Sequence, residues 1–347
     1  MSGRWRLVSK PRRGRCWLSA AALGLLVLSS GCRNRPHEAT QKPFTRESVQ
    51  KELVARYPQI SLPPDTLPAG VSAAENLVFD ASVEPPLELD VYRPKAAGPH
   101  PAVLVVHGGG WERGSRNMER PLAKRLAELG FVTVPVSYRL GVPGRFPNAL
   151  FDLKNAVRWL RANAGRFGLD SRRVAALGAS SGGQLVALLG ASNGLSEFEG
   201  GGQNREQSSA VQAVIDIDGL ADFTGPSLLE KERENPGAPT RFLGGSYDAR
   251  AATWRDASAL SHVGAQSAAT LFINSTAPTP ILPGRAQMAE ALTRAGVASA
   301  MITLPDTPHP FWLVNPWFEP TLRAAERFLN ERLNSAVKDE EQQQHYD

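Results

Sequence analysis

The stretch Val174-Ala175-Ala176-Leu177-Gly178-Ala179-Ser180-Ser181-Gly182-Gly183-Gln184-Leu185 joins two apolar runs of different kind through a turn of small residues. Val174–Leu177 has the length and composition of a buried strand, and 183–191 that of a helix packed on a sheet. Between them, Gly178-Ala179-Ser180-Ser181-Gly182 fits the pattern G-x-S-x-G. A sharp strand-to-helix turn of this kind strains its middle serine and exposes the hydroxyl at the edge of the sheet. Ser180 is therefore a candidate nucleophile. The alternative is a glycine-rich turn with an incidental serine, and the flanking strand and helix weigh against it.

About seventy residues earlier, His107-Gly108-Gly109-Gly110-Trp111 follows the apolar run Val103-Leu104-Val105-Val106. Successive glycines let backbone N–H groups converge on a developing oxyanion, and each such donor lowers a barrier by about 3 kcal/mol. The N–H groups of Gly109, Gly110 and Ser181 are the candidate donors. His107 is expected to support the loop rather than transfer protons.

Further strands are expected at 132–136, 211–217, 270–273 and 300–304, and helices at 120–129, 149–167 and 286–295. Short strands alternating with helices predict a mostly parallel central sheet covered by helices on both faces. The segment 194–209 is expected to be a flexible surface loop, and 222–253 an irregular cap or rim.

These motifs resemble those of the α/β hydrolases related to bacterial polysaccharide-acyl esterases, such as feruloyl and acetylxylan esterases. The resemblance runs from about Leu87 to Leu329 and includes Leu89-Asp90-Val91-Tyr92-Arg93-Pro94, Ser137-Tyr138-Arg139-Leu140, Phe146-Pro147 and Phe242-Leu243-Gly244-Gly245. It implies the α/β-hydrolase fold and a serine esterase. It also places the general base at His309, in Pro305-Asp306-Thr307-Pro308-His309-Pro310-Phe311-Trp312, ahead of His100, His262 and His345.

The orienting acid is where the chain departs from that pattern. The resembling enzymes carry an aspartate after the penultimate strand, but 274–283 contains no acid. A carboxylate must still hold the imidazole and stabilise its cation. Asp306, three residues before His309, is the first candidate. Asp218 and Asp222, after the strand ending at Ile217, are the runners-up.

Trp111, Phe311, Trp312, Trp317 and Phe318 cluster around the expected site, and exposed aromatic faces suit stacking on sugar rings. An acylated carbohydrate is therefore the expected substrate, with removal of acetyl groups from plant-polysaccharide fragments the favoured reaction and a small ester the alternative. A non-catalytic binding protein on the same fold would explain the missing aspartate, though not the pairing of Ser180 with His309. No metal site or cofactor is expected, because the histidines and acids lack ligand spacing.

The N-terminus points to export. The chain has 347 residues and a net charge of +5. Arg4, Arg6, Lys10, Arg12, Arg13 and Arg15 precede the uncharged run 16–31, so removing 1–31 takes away six positive charges and +5 becomes −1. A nucleic-acid partner thereby loses its electrostatic support. The apolar run suits a signal peptide, with an uncleaved anchor as the alternative. Ser30-Gly31-Cys32 resembles a bacterial lipoprotein cleavage site, which implies a lipid on Cys32, membrane attachment and a periplasmic or outer-membrane location. Ser29 stands where that pattern prefers leucine, which keeps ordinary signal cleavage as an alternative. The expected organisation is a signal peptide over 1–31, a tether and lead-in over 32–75, an α/β-hydrolase domain over 76–334 and a disordered tail over 335–347.

Overall fold

The computed structural model describes residues 44–276 and 283–334. The signal region, Cys32 and the tail after 334 lie outside the described residues. The strands are β1 (Val71–Asp80), β2 (Leu87–Pro94), β3 (His100–Val106), β4 (Val132–Val136), β5 (Leu169–Ala179), β6 (Ala213–Ile217), β7 (Ala269–Asn274) and β8 (Ser299–Thr303). They form one sheet in the order β1-β2-β4-β3-β5-β6-β7-β8. The β1–β2 and β2–β4 pairs are antiparallel, and every pair from β4 to β8 is parallel.

Successive side chains of a strand face opposite sides of a sheet. In β3, Ala102, Leu104 and Val106 join one apolar cluster with Trp254 and Leu185, whereas Val103 and Val105 join a second with Trp312 and Leu322. All five are fully buried, as a sheet sandwiched between helices requires. The covering helices are α1 (Arg46–Leu53), α2 (Arg120–Glu128), α3 (Asn148–Ala162), α4 (Ala164–Phe167), α5 (Ser181–Ala191), α6 (Pro226–Glu234), α7 (Ala238–Phe242), α8 (Tyr247–Asp256), α9 (Arg285–Arg294) and α10 (Phe318–Leu333).

The folded body begins earlier than residue 76. A reciprocal Thr45–Ser48 capping box starts α1, Val49 is buried from it, and Ser61 pairs with Asn315. The expected helix over 149–167 is two helices, because Asn163 bonds back to the Trp159 carbonyl and leaves helical geometry. The stretch 222–253 is helical rather than irregular. Pro226 and Pro239, which break a helix from within, stand at helix starts where no amide is needed.

The loop over 194–209 is pinned. Glu199 accepts Lys154 Nζ at 2.9 Å and Arg158 Nη1 at 3.0 Å, two cations one turn apart on α3, and also Ser209 Oγ. Lys154 is completely buried, so losing this carboxylate would strand its charge.

Candidate active site

The carboxyl ends of β3, β5, β6 and β7 open onto the same edge of the parallel sheet, where open α/β folds hold their sites. Ser180 stands between β5 and α5 with φ 55° and ψ −119°, a conformation that L-residues rarely adopt. The strain is roughly 1–3 kcal/mol and persists only because the surroundings leave no other course for the chain. Ser180 N–H donates to the Ile217 carbonyl at 2.8 Å. A Cβ on Gly182 would strike the carbonyls of Val106 and His107, so β3 passes too close for any other residue there.

His309 lies in the loop after β8. Its Nε2 stands 2.9 Å from Ser180 Oγ, and its Nδ1 stands 3.0 Å from Asp218 Oδ2. The loop is held by a reciprocal pair: Thr276 N–H donates to Thr307 Oγ1 at 2.9 Å, and Thr307 N–H to Thr276 Oγ1 at 3.0 Å. Trp312 packs against the imidazole in a T-shaped arrangement, with ring centroids 5.4 Å apart.

The carboxylate facing His309 is therefore that of Asp218, and the expectation for Asp306 is corrected. Asp306 is exposed and makes no hydrogen bond to His309. Thr307 and Pro308, both buried, occupy the inner side of the loop, so the preceding aspartate faces solvent. Asp222 serves its own turn, its Oδ1 accepting from Thr224 N–H and Oγ at 2.7 Å each. Asp218 follows β6 directly. Ile217 is in register with Ile273, so Asp218 lies beside Asn274, one strand spacing from the place where the resembling enzymes keep their acid. A φ of 52° turns the backbone here.

Asp218 is fully buried. Burial alone would raise its pKa. The hydrogen bond and charge of His309, with the bonds from Ser275, outweigh burial and hold the carboxyl below its ordinary value. Its second oxygen, Oδ1, accepts from Ser275 N–H at 2.8 Å and from Arg285 Nη1 at 2.9 Å. Two residues earlier, Asp216 behaves oppositely. It is as deeply buried, and there burial outweighs the charge of Arg285 and the hydrogen bond from Gly219 N–H and pushes its pKa up to about 7.

The glycine loop lies against the serine turn: a Cβ on Gly108 would approach Ser180 Cβ to 3.1 Å. Gly109, Gly110 and Trp111 have φ of 130°, 65° and 61°, a succession that turns consecutive amides out of any strand or helix ladder. Among the described residues, the N–H groups of Gly109, Gly110 and Ser181 donate to no protein acceptor. Ser181 also opens α5, whose N-terminal end favours negative charge. His107 is buried and donates from Nδ1 to the Gly108 carbonyl at 2.8 Å. Burial pushes its pKa down to about 4, so it stays neutral beneath the loop.

The aromatic expectation is also corrected. Trp111, Phe311, Trp312, Trp317 and Phe318 are all buried, at 8% exposure or less. Trp111 stacks on Phe242 at 4.7 Å and donates to Gln184 Oε1, so its face is spent on packing. None offers an open ring to a sugar.

The sequence alone does not single out Arg285 or the Thr276–Thr307 pair. Only Arg285 left a signal, being a cation in the first turn of a helix, where the dipole disfavours it.

A doubly wound sheet carrying a strained serine, an imidazole and a buried carboxylate in hydrogen-bonded series defines an α/β hydrolase with a serine–histidine–aspartate arrangement. Residues 89–288 match the BD-FAE family model, and the chain belongs to that family. It is similar to esterase LipC of Mycobacterium tuberculosis, 30% identical over 254 residues that span 72% of this chain and 63% of LipC. The chain thus spans less than two thirds of that relative. Among solved structures, it resembles a truncated carbohydrate esterase from gut microbiota, at 21% identity and a TM-score of 0.68, covering 79% of this chain and 100% of the other. It also resembles a propionate-bound thermophilic esterase of Thermogutta terrifontis, at 25% identity and a TM-score of 0.62, covering 76% and 94%.

Proposed function

We propose that this chain hydrolyses carboxylic esters through an acyl-enzyme on Ser180. The observation that carries the proposal is the series Ser180 Oγ, His309 Nε2, His309 Nδ1, Asp218 Oδ2, closed by bonds of 2.9 and 3.0 Å. His309 takes the Ser180 proton as the oxygen attacks the ester carbonyl. Asp218 stabilises the imidazolium that forms. The tetrahedral oxyanion is received by the N–H groups of Gly109, Gly110 and Ser181. On collapse, the proton passes from His309 to the departing alcohol. A water then gives its proton to His309 and attacks the acyl-serine; on collapse the proton passes from His309 back to Ser180 Oγ and the acid is released.

Within this activity, we propose deacetylation of plant-polysaccharide fragments, supported by membership of the BD-FAE family and by the motif resemblance to polysaccharide-acyl esterases. The burial of Trp111, Trp312 and Trp317 favours a second reading, a carboxylesterase for small esters, because none of the three offers an open indole to a sugar. Acetate release from acetylated xylan, xyloglucan and pectin, measured beside p-nitrophenyl acetate, separates the two. Deacetylation predicts release from at least one polysaccharide at a kcat/KM comparable to or above that for the nitrophenyl ester; release from the nitrophenyl ester alone leaves the small-ester reading.

Export with a lipid on Cys32 belongs to the same proposal, supported by the basic, apolar and Ser30-Gly31-Cys32 order of the N-terminus. Mass spectrometry of the mature N-terminus from a bacterial host tests it, and an unmodified N-terminus elsewhere would remove it.

A further inference from the structure

The Asp218 carboxylate is shared. One oxygen faces His309, and the other accepts Arg285 Nη1 at 2.9 Å. The guanidinium side chain is 14% exposed and the carboxylate 0%, so water screens this ion pair little. Arg285 is also the first residue of α9, after Gly284 with φ 93°. A cation there opposes the helix dipole, and no acidic residue of that turn offsets it. The contact that accounts for Arg285 is the one with Asp218.

We propose that Arg285 is a positioning residue of the hydrolytic site, whose charge on the far oxygen of Asp218 extends the working range of His309 to lower pH. The proposal rests on the Ser180–His309–Asp218 reading. An unpaired aspartate would present its whole charge to the imidazole and favour the imidazolium, which cannot accept the serine proton. With Arg285 bound, part of that charge is neutralised and a second cation stands beyond the carboxylate. Both effects disfavour protonation of the base in the resting enzyme. The Ser275 N–H, on the same oxygen as Arg285, fixes the carboxylate's rotation, so the arginine is not needed for that alone.

The other charged groups near the imidazole differ in kind. Asp216, on the strand that ends just before Asp218, is buried, bonded to Gly219 N–H and influenced by both Arg285 and Asp218. Glu119 reaches the imidazole only through Trp312, whose Nε1 donates to its Oε1 at 3.2 Å. Asp306 is exposed on the far side of the loop, and Asp222 is held by Thr224. Arg285 is the cation in contact with the carboxylate that faces His309.

The test is the pH profile of kcat/KM for p-nitrophenyl acetate in the wild type, Arg285→Gln, Arg285→Met and Arg285→Lys. Loss of the charge should move the acid limb up by roughly one pH unit. The plateau above it should stay within about threefold, and the lysine variant should keep the limb near its wild-type position. Arg285→Met, which keeps the aliphatic stem, supplies the same comparison if the glutamine variant does not fold. An Asp216→Asn background should preserve the shift; if the shift vanishes there, it belonged to Asp216 and the proposal is overturned. A plateau that falls at every pH while the limb stays in place would also overturn it, because Arg285 would then be a structural clamp. Failure of the underlying reading looks different: Ser180→Ala would retain turnover whatever stands at 285.

Discussion

The end of β5 and the end of β6 each supply one member of the proposed relay, yet only the first is marked in the sequence. At the end of β5 the constraint is steric and local. The chain must turn from strand to helix beneath β3, so Gly182 is required where a Cβ would meet the Val106 and His107 carbonyls. Such a constraint writes a motif. At the end of β6 the requirement is only that a carboxylate reach Nδ1 of an imidazole 91 residues away in sequence. Neighbouring strands of a parallel sheet lie about 5 Å apart. An acid can therefore move from the end of one strand to the next and still reach its partner, given a local backbone turn. Here Asp218 takes the role beside Asn274; the lack of an acid over 274–283 records that the role has moved, but no motif around Asp218 records where.

The hardest way to break the comparison is at the local end. Ser180→Ala should lower turnover by about six powers of ten, because the residual hydroxyl-free site retains only binding and oxyanion contacts. Its circular dichroism and melting temperature should match the wild type; turnover within a hundredfold would remove Ser180 as nucleophile.

A smaller effect tests the loop that carries the base. Thr307→Val removes the oxygen that receives Thr276 N–H and should cost roughly tenfold in kcat with little change in KM, since the imidazole loses alignment rather than chemistry. Unchanged kcat would mean that Pro308 and the buried Trp312 hold the loop without the threonine pair.

A small expected effect on turnover separates Asp216, within β6, from Asp218, which follows it. Asp216 has its pKa raised to about 7 in the fold, above the ordinary aspartate value. Between about pH 4 and 7 the unfolded chain is ionised there and the folded chain is protonated, so its contribution to stability is full at low pH and is lost as pH rises through that window. Asp216→Asn does not titrate. Its denaturation profile should therefore lack a decline on the order of 2–4 kcal/mol across that window, with kcat within about threefold of the wild type. Identical slopes for variant and wild type would show Asp216 already ionised in the fold.

Local physics explains what the sequence disclosed. Six strands, the serine turn and the glycine loop follow from apolar runs punctuated by glycine, and each lies within a few residues of its expected place. β1 alternates and faces solvent on one side, and without a continuous apolar run its start at Val71 reads as part of the lead-in. The helices over 222–253 were hidden because proline reads as a breaker unless its place at a helix start is known. The five aromatics read as a sugar platform because composition does not tell an exposed ring from a buried one. Sequence proximity favours Asp306 over Asp218, but Thr307 and Pro308 fill the inner side of the loop and leave Asp306 outside.

The central claim is that Asp218, from the end of β6, orients His309. It is tested most directly by kcat of Asp218→Asn and Asp306→Asn, measured side by side at saturating p-nitrophenyl acetate. The account predicts a loss of about four powers of ten for Asp218→Asn, as for an orienting aspartate in a serine triad, and a change within about twofold for Asp306→Asn. A larger loss from Asp306→Asn, or an Asp218→Asn enzyme within about tenfold of the wild type, would contradict it.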